Sequence, residues 1–392
     1  MGRMLSRATL PGTLSHVRHV SVVRHRTAPD LVAKVYAQVE RDFGMLAPPM
    51  LLHSPAPVTL AASWLMLRES LLAAGATGRP LKEAVATAVS RGNACPYCVD
   101  VHQATMDGLA PGGHAALIAA GRVDDIDDPA VRRVASWALA SGTRDTAARH
   151  ESPLPPERLR ELAAVAVTFQ YLNRMVNIFL TESPLPAEVP TGARGLLLRL
   201  FGRIMRTYAR RGGEPGASLG LLPEAPLPAD LAWAEGSANL AAAFARAAAA
   251  IDAGGARAVP VPVRELVITR LAAWDGEPTG PSRAWVADAA SALPEALRPA
   301  GRLALLTAMA SYQIDDALIA DFRAGTPGDL ALVELTSWAS MAAARRIGSW
   351  IPIVPVTAES APSGSASAQA PAAVPAVPAA VRAQGASPAG ES

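Results

Sequence analysis

The chain has 392 residues, 50% of them hydrophobic and 18% charged, with 36 Lys and Arg against 34 Asp and Glu. That length holds about two to three domains with sizeable cores, and the composition is that of a somewhat greasy globular protein. The near balance of charge gives no global electrostatic reason for a nucleic-acid partner, so none is expected.

Residues 1–29 carry Arg3, Arg7, Arg18, Arg24 and Arg26, with no acid before Asp30. They lack the continuous apolar run and small-residue cleavage site of a secretory leader, so they read as a basic, fraying arm. A helix is expected over 30–43. The longest uncharged stretch, Phe43 to Leu67, is interrupted by His53 and by Pro48, Pro49, Pro55 and Pro57. A spanning helix needs roughly 20 mostly apolar residues, so no transmembrane segment is expected. From there Ala, Leu, Arg and Glu recur at helical spacing and alternating β-branched runs are rare, which predicts an all-α fold. Further helices are expected over 58–72, 80–91, 96–108, 129–141 and 156–179, many begun by proline or a small polar residue. Trp64, Trp137, Phe169 and Tyr171 are expected in the core, and His53 in a turn. Arg174 could hold an anionic substrate or enter a buried ion pair.

Both cysteines fall in "RGNACPYCVDVH", residues 91–102. Gly92 and Asn93 are stop-and-turn chemistry, and a new helix starts with Cys95 near the N-cap, Pro96 at its first position and Cys98 in its first turn. Unpaired N–H groups and the macrodipole at a helix N-terminus stabilise a thiolate and lower a cysteine pKa below its free value of about 8.5. His102 follows Cys98 by four residues, one turn along the same face. An imidazole within reach can take a thiol proton, and a second thiol can close a disulfide once the first sulfur is oxidised. Glu83 lies on the preceding helix, and a hairpin would return its carboxylate to His102. Two blander readings stand beside this one: a pair of small buried core residues, or a zinc site formed by Cys95, Cys98, His102 and Glu83. Closely spaced cysteines without a leader favour redox or metal chemistry in a reducing compartment, and the cytoplasm is the expected location. Spacing alone leaves open which sulfur attacks.

Glu83, Cys95, Cys98 and His102, so spaced in "KEAVATAVSRGNACPYCVDVH", resemble the alkylhydroperoxidase D and carboxymuconolactone decarboxylase family. "HSPAP" followed by Trp64 and the Arg68-Glu69 pair is similar to the same family, as is "FQYLNRMVN" with Asn173 and Arg174, so the resemblance spans residues 40–182. It implies an AhpD-like helical domain over 30–182, assembled into oligomers, that reduces hydroperoxides without a bound cofactor. In that reading Cys98 is peroxidatic, Cys95 resolves it as a disulfide, and His102 with Glu83 relays the proton. A dithiol donor, such as a lipoyl-bearing protein, then re-reduces the pair. Tyr97 stands where the founding enzyme has a histidine, which implies a shorter relay. The alternatives are a general disulfide oxidoreductase with no peroxide step, and a non-enzymatic helical scaffold with a vestigial disulfide.

Beyond this domain, residues 183–229 read as a linker in which two Pro/Gly-rich stretches bracket one helix. Arg199, Arg203, Arg206 and Arg210 share one of its faces, and Leu197, Leu200, Phe201 and Ile204 another. Such a helix either lies on a membrane surface or packs on its neighbours, and the second is the commoner case. Over 230–356, helices are expected at 240–252, 263–274, 282–293, 301–324 and 328–350. Their order repeats that of the first half, and laying Glu83 on Glu265 sets Cys95 on Glu277, Cys98 on Gly280 and His102 on Ala284. The second half thus reads as a diverged, degenerate copy that makes an internal pseudo-dimer without thiols. Residues 357–392, mostly Ala, Pro, Ser and Gly, read as a disordered tail.

Overall fold

Prolines set the starts of most long helices in the computed structural model, which describes residues 16–149, 154–185 and 188–353. Pro57, Pro80, Pro96, Pro129, Pro156, Pro262 and Pro299 each occupy a first-turn position, where the missing N–H costs nothing and the fixed φ suits the helix. The elements are α1 (Asp30–Asp42), α2 (Pro48–Leu51), α3 (Pro57–Leu67), α4 (Arg79–Gly92), α5 (Pro96–Leu109), α6 (His114–Ala120), α7 (Pro129–Ala140), α8 (Arg144–Arg149) and α9 (Pro156–Phe179). They continue with α10 (Thr191–Ala209), α11 (Ala238–Ala258), α12 (Val261–Ala273), α13 (Ala284–Ala290), α14 (Arg298–Met309), α15 (Asp316–Gly325) and α16 (Asp329–Gly348). No strand occurs among the described residues, so the fold is all-α. None of their helices is long and apolar enough to cross a membrane. The Ala/Pro-rich tail lies outside the described residues.

Helices α4 and α5 form the hairpin that carries Glu83, Cys98 and His102, and α9 packs along α4. Of the 24 residues of α9, 19 are buried, a pattern a helix shows only when it is enclosed on all sides. Its other flank is covered by α16, while α3 packs on α11, so the two halves share one apolar core. Polar bonds cross the same boundary. Tyr171 and Ser337 pair their hydroxyls at 2.8 Å, and Arg174 Nε donates to the Ala308 carbonyl at 2.9 Å. The buried Glu69 carboxylate accepts from Gly216 N, Ser218 Oγ and Asn239 Nδ2, tying the connecting segment to α3.

Three expected elements differ. The stretch 301–324 is two helices rather than one, because Asp315 accepts the Leu318 N–H and caps α15 after a 3₁₀ turn at Ser311–Gln313. The end of the helix expected over 58–72 widens into a π-turn at Arg68–Leu72, with Arg68 and Glu69 both buried. The helix expected at 282–293 shortens to α13. The described part of the N-terminal arm is also held down, where fraying was expected. Arg18 N donates to Phe179 O, Val23 N to Ser54 Oγ, and Tyr36 Oη to Val23 O. His53 sits in the turn between α2 and α3, as expected, and is fully buried there: Nδ1 meets Pro49 O at 2.8 Å, Nε2 meets Tyr171 Oη at 2.9 Å, and burial lowers its pKa to about 3.

The linker helix α10 packs along α5, and two glycines let their backbones touch. A Cβ on Gly202 would lie 2.1 Å from Ala104 O, and one on Gly108 would lie 2.3 Å from Gly202 O. Since backbone cannot yield as a side chain does, Gly202→Ala should destabilise the protein by about 1–3 kcal/mol in urea unfolding. Gly192→Ala, in open space on the same helix, should change stability by less than about 0.5 kcal/mol. Equal effects of the two would show that the close approach does not hold α10 in place.

Candidate active site

The turn between α4 and α5 presents both cysteines. Ala94 sits at φ +49°, a left-handed value rare for a residue with a Cβ, and Cys95 follows as the extended N-cap with its N–H donated to Ser90 O at 2.9 Å. Polar groups of α9 hold this turn from behind. Asn93 Nδ2 donates to Asn173 Oδ1 at 3.0 Å, Asn173 Nδ2 to Ser90 Oγ at 2.9 Å, and Asn177 Nδ2 to Asn93 O at 3.1 Å. The strained residue is thus fixed by side chains that a free turn would not have.

Cys95 and Cys98 are both buried, unbridged and in hydrogen-bond contact with each other. They meet unlike surroundings. Burial first, and then the neighbouring Cys98 sulfur, push the Cys95 thiol well above its ordinary pKa, with only partial relief from Asn173. The expectation that the helix N-terminus activates both sulfurs therefore fails for Cys95, where lost solvation outweighs the dipole. Cys98, the third residue of the helix proper, lines a cavity of about 350 Å³ together with Tyr97, His102, Phe169, Leu172 and Phe201. Burial also pushes the Tyr97 phenol up, so that it stays protonated.

His102 lies across the hairpin from Glu83, with Nδ1 2.6 Å from Glu83 Oε2. A carboxylate can only accept here, so Nδ1 carries the proton and Nε2 is left as the free nitrogen. Phe169 of α9 packs edge-on against the imidazole, with ring centroids 4.5 Å apart. Glu83 is fully enclosed, and burial alone would raise its pKa. Arg79 and His102 outweigh that and hold it below the usual carboxylate range. Arg79 reaches Glu83 Oε1 from one turn earlier at 2.6 Å. Lys82, the residue before Glu83, points to Glu161 instead at 3.4 Å. The structure thus brings Glu83, Cys95, Cys98 and His102 together as the sequence suggested. Among the described residues, no group of three or more His, Cys, Asp or Glu side chains is disposed to hold a metal ion.

Two contributors were missed. His16, from the arm, lines the cavity beside Tyr97, its ring 6.2 Å away, with Nδ1 bonded to Thr181 Oγ1 at 2.8 Å. Leu198 and Phe201 of α10 line the same cavity, contributed by what reads as a linker. No local motif places residue 16 or 201 beside residue 98, and the apolar face expected from Leu197, Leu200, Phe201 and Ile204 is split: Phe201 turns to the cavity while Leu200 and Ile204 are exposed. Arg174 forms no ion pair among the described residues: its guanidinium donates to the carbonyls of Gln170 and Ala308 and to the Gln170 side chain.

No protein-family model matches the chain, and no solved structure matches it. Over 338 residues, 86% of this chain and 96% of the relative, it is 38% identical to alkyl hydroperoxide reductase Rv2159c of Mycobacterium tuberculosis. A match of that length runs through both halves, well beyond the 40–182 segment that carries the motif.

The buried Glu83 pair has a measurable signature. Its pKa is lower folded than unfolded, so its stabilisation is complete above the ordinary value of 4.5 and is lost as pH falls through the lower folded one. Glu83→Gln should therefore flatten the dependence of stability on pH below that value. Glu83→Ala should cost about 3–5 kcal/mol at neutral pH by stranding Arg79 and His102. An acid limb equally steep in wild type and Glu83→Gln, measured by urea unfolding across pH 3–6, would exclude an ionised Glu83.

Proposed function

We propose, from the premise that the chain belongs to the alkylhydroperoxidase D-like family, that it is a thiol-dependent peroxidase acting on organic hydroperoxides. The observation that carries this reading is the asymmetry of the cysteines: Cys98 shares the wall of an apolar cavity with His102, while Cys95 is enclosed behind it. The name of the Mycobacterium tuberculosis relative supports the same reaction class.

In the proposed cycle His102 Nε2 takes the Cys98 proton, and the thiolate attacks the terminal oxygen of R–O–OH. The O–O bond breaks, Cys98 becomes the sulfenic acid, and the alkoxide leaves as R–OH with the proton returned by the imidazolium. Glu83 stabilises that imidazolium through Nδ1, and Arg79 keeps Glu83 ionised. Cys95 then attacks the Cys98 sulfur, forming the disulfide and releasing water. Its raised pKa keeps it a thiol until that step. An external dithiol donor reduces the disulfide and is itself oxidised to one; a lipoyl-bearing protein fits that chemistry. Tyr97 stays neutral at the cavity wall and takes no proton in the cycle.

The second half has a structural role in this reading. The positions matched to Cys95 and Cys98 are Glu277 and Gly280 in an irregular segment, and Ala284, matched to His102, opens the seven-residue α13. This fits a degenerate copy that substitutes for a partner subunit.

Peroxide-dependent oxidation of a dithiol should vanish in Cys98→Ser. In Cys95→Ser a sulfenic acid should persist at Cys98, trapped by dimedone and read by mass spectrometry. His102→Ala should lower turnover by about 10²–10⁴-fold, the usual worth of a general acid and base. Undiminished peroxidase turnover in Cys98→Ser would refute the reading.

A further inference from the structure

Packing on α5 occupies one face of α10 and leaves a second apolar row uncovered. Met205 and Ala209 are buried inward, and Leu198 and Phe201 face the cavity of Cys98. On the opposite side Leu196, Leu200 and Ile204, spaced by four, are 62%, 53% and 38% exposed. They are three of the eight large hydrophobic side chains exposed among the described residues, gathered in one row on one helix. Beside that row run Arg199, Arg203, Arg206 and Arg210, none of which makes an ion pair or side-chain hydrogen bond among the described residues. No acid occurs between Glu188 and Glu214. A helix that merely packs on its neighbours would present a polar outer face; this one presents leucine and isoleucine edged by unpaired arginine.

We propose that the outward face of α10 docks on an anionic lipid bilayer, with Leu196, Leu200 and Ile204 at the acyl boundary and the arginine row along the headgroups. An apolar row edged by cations is the pattern of an interfacial helix, and each arginine near an anionic surface adds to the attraction. A second copy of the chain fits this face poorly, because a two-fold contact would set one acid-free arginine row against another. The inner side of the same helix walls the cavity, so docking places Cys98 within about one helix diameter, ~10 Å, of the membrane. Resting on the peroxidase reading, hydroperoxides borne on lipid acyl chains become the substrate class closest to hand.

The test is co-sedimentation of the full-length protein with vesicles of phosphatidylglycerol and phosphatidylcholine, against vesicles of phosphatidylcholine alone. Binding should be confined to the anionic vesicles and weaken as salt is raised. The double variants Leu196→Glu/Leu200→Glu and Arg199→Glu/Arg203→Glu, at exposed positions outside the cavity wall, should each lower partitioning by about tenfold or more. Failure of the wild type to sediment at low salt, equal binding to both vesicle types, or unchanged binding in both variants would overturn the proposal. So would loss of self-association in the variants, measured by light scattering, in a protein that ignores vesicles. The same assay on Cys98→Ser separates this inference from the peroxidase reading, since vesicle binding needs no thiol.

Discussion

A carboxylate without solvent stays ionised only beside cations, and Glu83 has no exposed side-chain surface. It answers that demand with the guanidinium of Arg79 from its own first turn, and the Nδ1–H of His102 from the next helix donates to its other oxygen. The pairing does more than neutralise a charge. It fixes the register of the hairpin, because the second donor must arrive from α5, and it fixes the imidazole tautomer, because a carboxylate accepts at Nδ1. The free nitrogen of His102 is thereby committed to the side of the ring away from Glu83. What the imidazole can do for Cys98 thus follows from how a buried charge was satisfied one helix earlier.

The difference between the two sulfurs has a similarly local origin. Cys95 is the extended residue at the helix start and Cys98 is already helical, so their side chains leave the backbone in different directions although only two residues separate them. One direction leads to the amide network of α9, where burial makes ionisation costly, and the other to the cavity. A symmetric pair would give no basis for dividing attack from resolution. In the proposed cycle that division comes from backbone geometry at a helix N-cap, reinforced by Asn173 and by the strained Ala94 that aims the turn.

Much of this was legible in the sequence, because it depends on short-range order. The starts of α4, α5, α7 and α9 follow from proline placement, and the meeting of Glu83 with His102 follows from a hairpin closed at Gly92-Asn93. The break after Met309 was legible in principle too, since Asp315 three residues before Leu318 is an N-cap pattern, hidden by apolar periodicity on both sides of it. What the sequence did not disclose depends on long-range packing. Nothing near His16 or Phe201 signals that they wall the same cavity as Cys98. The raised pKa of Cys95 depends on total burial, which local helix-dipole reasoning omits. His53 shows the same limit: "HSPAP" has the composition of a turn and forms one, but its burial beside Tyr171 is set more than a hundred residues away.

The shared core explains why a half without thiols is needed by the half that has them. Helix α9 is buried nearly all round, so the face turned from α4 needs a cover, and α16 supplies it. Its buried guanidinium at Arg174 needs acceptors, and Ala308 of α14 is one. The dependence then runs to the chemistry itself. Asn177 Nδ2 donates both to Asn93 O and to Ser311 Oγ, each at 3.1 Å, so a residue of the second half shares the donor that holds the turn before Cys95. Asn173, one residue before Arg174, holds that turn as well. Removing the second half would strip α9 of its cover, leave Arg174 short of an acceptor and loosen the side chains that keep Ala94 in its left-handed conformation. The position of the sulfurs therefore depends on residues with no part in the reaction.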